Sequence, residues 1–391
     1  MIKKSILALL FAYLFCVVGL FFSHHILLDN TPPSDSYFSD NMFKKMLSIL
    51  VLFGLLVGLG FVLRKRIVQW LRLDEVVFFH FLLYLLFYCI VGIWFLFKCK
   101  NDELIYIIQG SRKLRDPMYG YAYPRSSKRH EIVYQQDSLL LEVSYNFDSL
   151  GRRKTYCPST HQSKSILFFG CSFTYGDGVN DRETLPSQYA DLDSSVSVYN
   201  YAIDGWGPQQ TYLQISKRNL SIETYSDTAL GIYVWIDDHI KRAALYKSHY
   251  QGWTQFFPCF TLENNVLKYK GSFEKAYPLK GFLFELLNNS LFFKNIEIPS
   301  HETKQDYALV TALLKASRDR FSQQFKQGKF VVFIYPGSSG TIIPYLKAEK
   351  IDYVVGNSSL LNNTDFIPKH GHPNKNANRK IAKEIQLLIV Q

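Results

Sequence analysis

From residue 165 to the C-terminus, short apolar runs alternate with longer stretches of helical period, and that rhythm leaves few folds open. Strand candidates fall at 165–169, 196–200, 229–235, 329–335 and 351–355. Helical candidates fall at about 184–191, 208–218, 239–247, 304–326, 341–348 and 373–390, with Pro208 and Pro373 near helix starts, where proline is tolerated. Strands that alternate with helices argue for a parallel sheet covered on both faces. The expectation is an α/β protein: a three-layer α/β/α sandwich around a mainly parallel five-stranded sheet. Residues 250–300 break the rhythm. They are rich in Phe, Tyr and Trp and read as an aromatic insertion near the strand ends, a candidate lid.

The first strand candidate, Ile166 to Phe169, stops at Gly170, and a turn of small residues carrying Ser172 follows at once. A strand ending in such a turn puts the turn's side chains and amides at the carboxyl edge of the sheet, where open α/β sheets bind ligands. A serine held there is a nucleophile if a base reaches it. An ester carbonyl needs that pair and N–H donors aimed at the developing oxyanion. The backbone amides of Ser172 and Gly205 are candidate donors. His372, ahead of the last helix, is the candidate base. The spacing around Ser172 is not GxSxG, so the α/β-hydrolase elbow fits less well. Bland readings stand beside these: a turn serine bonded to its own backbone, a capping histidine, and a Gly-x-Gly that only marks a turn.

These residues resemble a family. Gly170-Cys-Ser-Phe-Thr-Tyr-Gly176 resembles the first block of the SGNH (GDSL-type) hydrolases, whose serine is the nucleophile. Asn200-Tyr-Ala-Ile-Asp-Gly-Trp-Gly207 resembles the second block, with Gly205 at the oxyanion-hole position. Trp235-Ile-Asp-Asp-His-Ile-Lys-Arg242 occupies the third, and His370-Gly-His-Pro-Asn374 resembles the last, with His372 at the base. The resemblance covers roughly 160–391. Asp116-Pro117 and Asp148-Ser-Leu-Gly-Arg152 are similar to elements of membrane-attached bacterial members. Three positions depart from the pattern. Cys171 stands where the first block usually has Asp. Asp238 falls where an asparagine usually donates to the oxyanion, and an ionised carboxylate cannot donate; either it is held protonated, or it points away and a backbone amide or His239 serves. The acid that orients the histidine usually lies two or three residues before it, where this chain has His370 and Lys369. Asp365 is the nearest carboxylate in sequence; without it the site is a Ser-His dyad.

The first hundred residues are far more apolar than the rest. Runs at about 6–28, 46–63 and 76–97 each approach the ~20 residues a helix needs to cross a bilayer core. Lys3, Lys4 and the Arg64, Lys65, Arg66, Arg72 group place the N-terminus and the 64–75 loop in the cytoplasm by the positive-inside rule. Three spans then put everything after about residue 100 outside. Residues 101–164 read as a β-rich connecting segment, with a hairpin over 131–147, and 165–391 as the hydrolase-like domain.

The net charge of +11 divides into about +5 before residue 101 and about +6 after it. The second share is diffuse, without the basic-aromatic stripe of a nucleic-acid binder, so no nucleic-acid partner is expected. The six cysteines show no zinc spacing. Cys157 and Cys259 could pair in an oxidising compartment, although free thiols fit as well. Asp177, Asp181 and Glu183 have a calcium-like look, and Asp237, Asp238 and His239 form a second acidic cluster; solvated or structural roles account for both. No cofactor is implied.

The expected activity is acyl transfer through Ser172, to water or to a carbohydrate hydroxyl, by a multi-pass membrane protein with its catalytic domain outside the cytoplasm. The expected substrate is an acylated small molecule or, by resemblance, a cell-envelope polysaccharide. The rival is a catalytically silent glycan-binding or envelope-assembly scaffold.

Overall fold

The computed structural model describes residues 104–135, 138–156, 162–250, 252–288, 297–299 and 301–389. The apolar runs at 6–28, 46–63 and 76–97 lie outside these residues, as does Cys157. Among the described residues no helix is long and apolar enough to cross a membrane.

The chain divides into two units. One comprises Met1–Ile108, Ile132–Leu140 and Leu286–Asn295; its described residues are parts of two strands of a hairpin, of a strand before it, and of one helix. The other comprises Gln109–Glu131, Leu141–Glu285 and Ile296–Gln391, and carries every candidate site residue.

In chain order, the strands are β1 (Leu104–Gly110), β2 (Leu114–Asp116), β3 (Gly120–Ala122), β4 (Lys128–Gln135) and β5 (Ser138–Asn146). Next come β6 (Lys164–Phe169), the one-turn helix α1 (Ser172–Tyr175), α2 (Leu185–Ala190), β7 (Ser197–Asn200), α3 (Pro208–Lys217), α4 (Leu220–Thr224) and β8 (Thr228–Trp235). After α5 (Asp238–Ala243) come β9 (Pro258–Glu263), β10 (Val266–Ser272), α6 (Phe273–Ala276) and α7 (Pro278–Asn288). The chain closes with α8 (Lys304–Gln324), β11 (Gln327–Ile334), α9 (Ile343–Ala348), β12 (Tyr353–Val355) and α10 (Lys375–Ile389).

The central sheet has the order β12-β11-β8-β6-β7, and every neighbouring pair is parallel. It is an α/β sheet of five strands, as the alternation required. Side chains alternate strictly along β6: Ile166 and Phe168 enter one core with Leu185, Val198, Ile381 and Ile385, while Leu167 and Phe169 enter the other with Leu213, Val310, Leu313 and Phe330. All four are fully buried, so β6 is covered on both faces. The covering layers are α2 and α10 on one side, and α3 and α8 on the other.

The chain leaves β6 for β7 on one side, then crosses to β8 on the other. That reversal opens a crevice outside the carboxyl ends of β6 and β8, where ligands bind in doubly wound sheets.

The aromatic stretch around 250–300 contributes the antiparallel hairpin β9–β10. Phe260 of β9 joins the α3/α8 core, its ring edge-on to Tyr212 at 5.6 Å, so at least this part packs as core. Cys259 is a free, buried thiol, pushed up to about 12 by its burial. A third core forms from Tyr121, Tyr123, Val143, Tyr145, Phe147, Tyr175, Ala202, Ile203, Trp206 and Phe257. Tyr121 and Tyr123 around β3, and Val143, Tyr145 and Phe147 at the end of β5, therefore pack against the turns that follow β6 and β7.

Candidate active site

Gly170 ends β6 at φ +148; a side chain there would meet Thr174 Oγ1 at 2.5 Å and the Val234 carbonyl of β8 at 3.1 Å. Only glycine lets β6 turn this tightly against β8. Cys171 is fully buried, and Ser172 opens α1 with 5% of its surface exposed. Among the described residues, the Ser172 hydroxyl and its backbone N–H have no hydrogen-bond partner. The free amide follows from its place in the first turn of a helix. Helix α1 closes at Gly176 (φ +85), and the Asp177 N–H returns to the Ser172 carbonyl at 3.0 Å.

Arg153 clamps this turn from below. It is 1% exposed, and its guanidinium lies over the rings of Tyr145 (4.3 Å) and Tyr175 (4.9 Å). It donates to the carbonyls of Tyr175 (3.1 Å), Gly176 and Val179, and pairs with Asp181 at 3.1 Å. A buried cation thus satisfies carbonyls that α1 and the turn after it leave orphaned. Asp181 also accepts from Asn146 Nδ2 at 2.7 Å, while Glu183 accepts from the Asn180 N–H at 3.1 Å. Asp181 and Glu183 are committed to structure, and Asp177 points elsewhere.

The turn after β7 is tied to α1 by Asn200, whose Nδ2 donates to the carbonyls of Thr174 (3.2 Å) and Tyr175 (3.3 Å). Gly205 lies at φ +78, and a side chain there would run into the Tyr121 hydroxyl. That hydroxyl donates to the Asp204 carbonyl. The Asp204 carboxylate pairs with Lys113 and accepts from the Tyr123 hydroxyl at 3.1 Å. Burial pushes its carboxyl up, yet Lys113 outweighs this and holds it below the usual carboxylate range. The Gly205 N–H has no partner among the described residues.

His372 sits in the turn between Phe366 and Pro373, which bridge to each other. The Ile367 N–H donates to the His372 carbonyl at 2.8 Å, and the Gly371 N–H to the Ile367 carbonyl at 2.9 Å. The His372 ring packs edge-on to Phe173, the residue after Ser172, with centroids 5.6 Å apart. Its Nδ1 lies 3.0 Å from His370 Nδ1 and 3.2 Å from the His370 carbonyl oxygen. Its Nε2 is 3.8 Å from Asp177 Oδ2. Burial, with help from His370, pushes the imidazole below its ordinary value against the opposing pull of Asp177. The structure therefore brings Ser172, Gly205 and His372 to neighbouring turns, but it places no hydrogen bond between Ser172 Oγ and His372.

Two expectations are corrected. Asp365 does not face His372: it is 2% exposed, accepts from Lys380 Nζ at 2.8 Å and from the Asn362 N–H at 2.9 Å, and is held below the usual carboxylate range by Lys380. Asp238 does not offer a donor. A hydrogen bond from His249 holds its carboxyl down, to about 2, with His249 Nε2 at 3.4 Å and Arg242 at 3.8 Å. It is a carboxylate on a half-exposed side chain, so the protonated alternative is excluded. The His239 ring is fully buried, with Nδ1 on the Tyr233 hydroxyl at 2.9 Å and Nε2 without a partner among the described residues. Asp237 accepts from the Ser339 N–H at 2.7 Å. Asp237, Asp238 and His239 thus diverge and form no metal site together.

Two residues escaped the sequence reading. Asp177 stands out in the sequence only as part of an acidic cluster, yet Asp177, His370 and His372 bring one ligand atom each within 4.8 Å of one another, a donor set a first-row divalent cation could take. Arg242 lies one helical turn beyond Asp238. Its guanidinium donates to the Trp206 carbonyl at 2.9 Å and lies beside the Cys171 thiol. It therefore joins the turns after β6, β7 and β8 with a positive charge. The i, i+4 spacing from Asp238 was the available signal.

No protein-family model and no curated protein matches the chain. Solved structures do. A member of the lipolytic protein G-D-S-L family from Veillonella parvula is 13% identical, covers 58% of this chain and 99% of its own, and gives a TM-score of 0.35. An acetylxylan esterase from Geobacillus stearothermophilus is 8% identical over 58% of this chain and 94% of its own, at a TM-score of 0.33. A family two carbohydrate esterase from Cellvibrio japonicus is 10% identical over 73% of this chain and 96% of its own, at 0.34.

Proposed function

We propose that this chain is an SGNH-type serine ester hydrolase or O-acyltransferase, anchored in a membrane by its first hundred residues, with its catalytic domain outside the cytoplasm. The observation that carries the reading is the meeting, at the sheet's reversal point, of Ser172, the free amides of Ser172 and Gly205, and the His372 imidazole. The preferred acyl acceptor or donor is a cell-envelope polysaccharide, a preference that rests on the likeness of the four sequence blocks alone.

In this mechanism Ser172 Oγ attacks the ester carbonyl as its proton passes to Nε2 of His372. The carbonyl oxygen becomes an oxyanion held by the Ser172 and Gly205 N–H groups, with the Arg242 guanidinium adding positive potential where an asparagine would otherwise donate. Collapse expels the alcohol, which takes the proton back from His372. Water or a sugar hydroxyl then repeats the sequence on the acyl-enzyme.

The absent Ser172–His372 hydrogen bond favours a second reading, a glycan-binding scaffold that performs no chemistry. One experiment separates the two: full-length protein in detergent, treated with a fluorophosphonate probe and assayed on short-chain p-nitrophenyl esters. The hydrolase reading expects labelling and turnover, both lost in S172A by about ten-thousandfold or more. Labelling that persists in S172A removes Ser172 from the chemistry, and an unlabelled wild-type chain favours the scaffold.

A further inference from the structure

The contact between the two histidines decides where a proton sits. Two imidazole lone pairs do not face each other at 3.0 Å without a proton between them, so one Nδ1 donates and the other accepts. The His370 carbonyl oxygen, 3.2 Å from the same Nδ1 of His372, can only accept. Both contacts are favourable only if the proton is on His372 Nδ1, in a forked bond to the His370 carbonyl and the bare Nδ1 of His370. The reverse assignment would set the His372 lone pair against a carbonyl oxygen. In the neutral ring, which burial favours, His372 Nε2 is then bare, on the side that faces Asp177 and the turn holding Ser172.

We propose that the His370 imidazole takes the place of the carboxylate that orients a catalytic histidine, so that the site is a Ser172–His372–His370 triad with His370 as the positioning residue. This rests on the hydrolase reading above. His370 accepts at Nδ1 and carries its own proton on Nε2. During attack the Oγ proton moves to His372 Nε2, the Oγ–carbon bond forms and the carbonyl π bond opens. The Nδ1 proton remains on His372, and its bond to His370 strengthens as the ring becomes an imidazolium.

The fold holds His370 for this task. Lys369 adopts φ +61 and Gly371 φ +75, and the His370 N–H bonds to the Pro368 carbonyl at 2.7 Å. Gly178, at φ +82, leaves room for the ring: a side chain there would meet His370 Nδ1 at 3.3 Å and Ile367 Cδ1 at 2.6 Å. The groups around His372 are His370, Asp177, the Phe173 ring and, more distantly, the Asp204 charge.

The test uses the full chain, with ring-labelled 15N-histidine, read by long-range 1H–15N correlation at neutral pH; H372Q assigns the His372 signals by difference. The expected result is a protonated Nδ1 and a bare Nε2. In H370A that tautomer gives way to a mixture, and kcat on p-nitrophenyl esters falls about tenfold to a hundredfold with KM unchanged. H370N, whose side-chain carbonyl accepts a hydrogen bond, restores most of kcat. Three results overturn the proposal: an Nε2–H tautomer, which would bond His372 to Asp177; a spectrum and kcat unchanged in H370A, which would leave orientation to the backbone carbonyl; or a stoichiometric divalent metal in the purified protein, which would put a cation between the two nitrogens. The tautomer is read without turnover. A chain with no esterase activity that still shows Nδ1–H, lost in H370A, sinks the hydrolase reading and supports the pairing.

Discussion

The turns after β6 and β7 differ in kind from the turn after β8. The first two are built of glycines at positive φ (Gly170, Gly176, Gly205) and present backbone amides. Apart from Ser172 and Asp177, polar side chains there are tied to structure: Asn200 to α1, Asp204 to Lys113 and Tyr123, and Asp181 to Arg153. The third turn presents charge: the Asp238 carboxylate lies 3.8 Å from the Arg242 guanidinium and 3.4 Å from His249 Nε2. Backbone donors are set by local φ/ψ and stay put when neighbours change. A side-chain donor depends on which partner claims it, and here His249 and Arg242 claim Asp238.

The sharpest way to break this contrast is at Gly205. Alanine there is penalised twice, through a left-handed backbone and a collision with the Tyr121 hydroxyl. We expect G205A to lower kcat about a hundredfold to a thousandfold, the range for loss of an oxyanion donor. The double variant G205A/Y121F removes the collision and keeps the backbone strain, so it recovers part of the loss. Equal activity in G205A and wild type would take the β7 turn out of the site.

At the third turn the expected order reverses the sequence reading. R242M removes the charge that spans the three turns and lowers kcat roughly tenfold to a hundredfold. D238N removes a carboxylate already turned to His249 and changes kcat by less than about threefold. If D238N costs more than R242M, position 238 contributes to the oxyanion after all and Arg242 is structural.

What the sequence made legible follows the same division. The central strands were readable because apolar runs of β length such as Ile166–Phe169, fully buried on both faces, leave little choice, and β6 lies within a residue of its expected bounds. The glycine turns were readable because their residue type states the backbone conformation they need. The carboxylate that comes nearest to His372 in space was not. Asp365 is the nearest carboxylate to His372 in sequence, but the fold gives it to Lys380 on α10. Asp177, nearly two hundred positions upstream, comes within reach of His372 only when the turns after β6 and before α10 are brought together. Nearness along the chain is no guide to either pairing. D365N measures this directly. It weakens the tie to Lys380 and the cap on Asn362, so Tm falls by about 2–4 °C, about 1 kcal/mol for a domain of this size, while kcat stays within about threefold. A large loss of kcat with unchanged Tm would restore Asp365 to the site.

A final expected effect concerns His239, at the base of the third turn. Burial pushes this imidazole well below its ordinary value, and its Nδ1 is bonded to Tyr233, so it is neutral in the folded state. The unfolded chain holds the same residue near 6.5. Between the two values the unfolded state binds more protons, and stability rises with pH in that window. The contribution is complete above about 6.5 and is lost as pH falls, by at most about 1.4 kcal/mol per unit. H239Q cannot titrate, so its Tm, though lower at pH 8, should fall less between pH 7 and pH 5 than that of the wild type. Parallel Tm curves for the two proteins would mean that acid acts elsewhere.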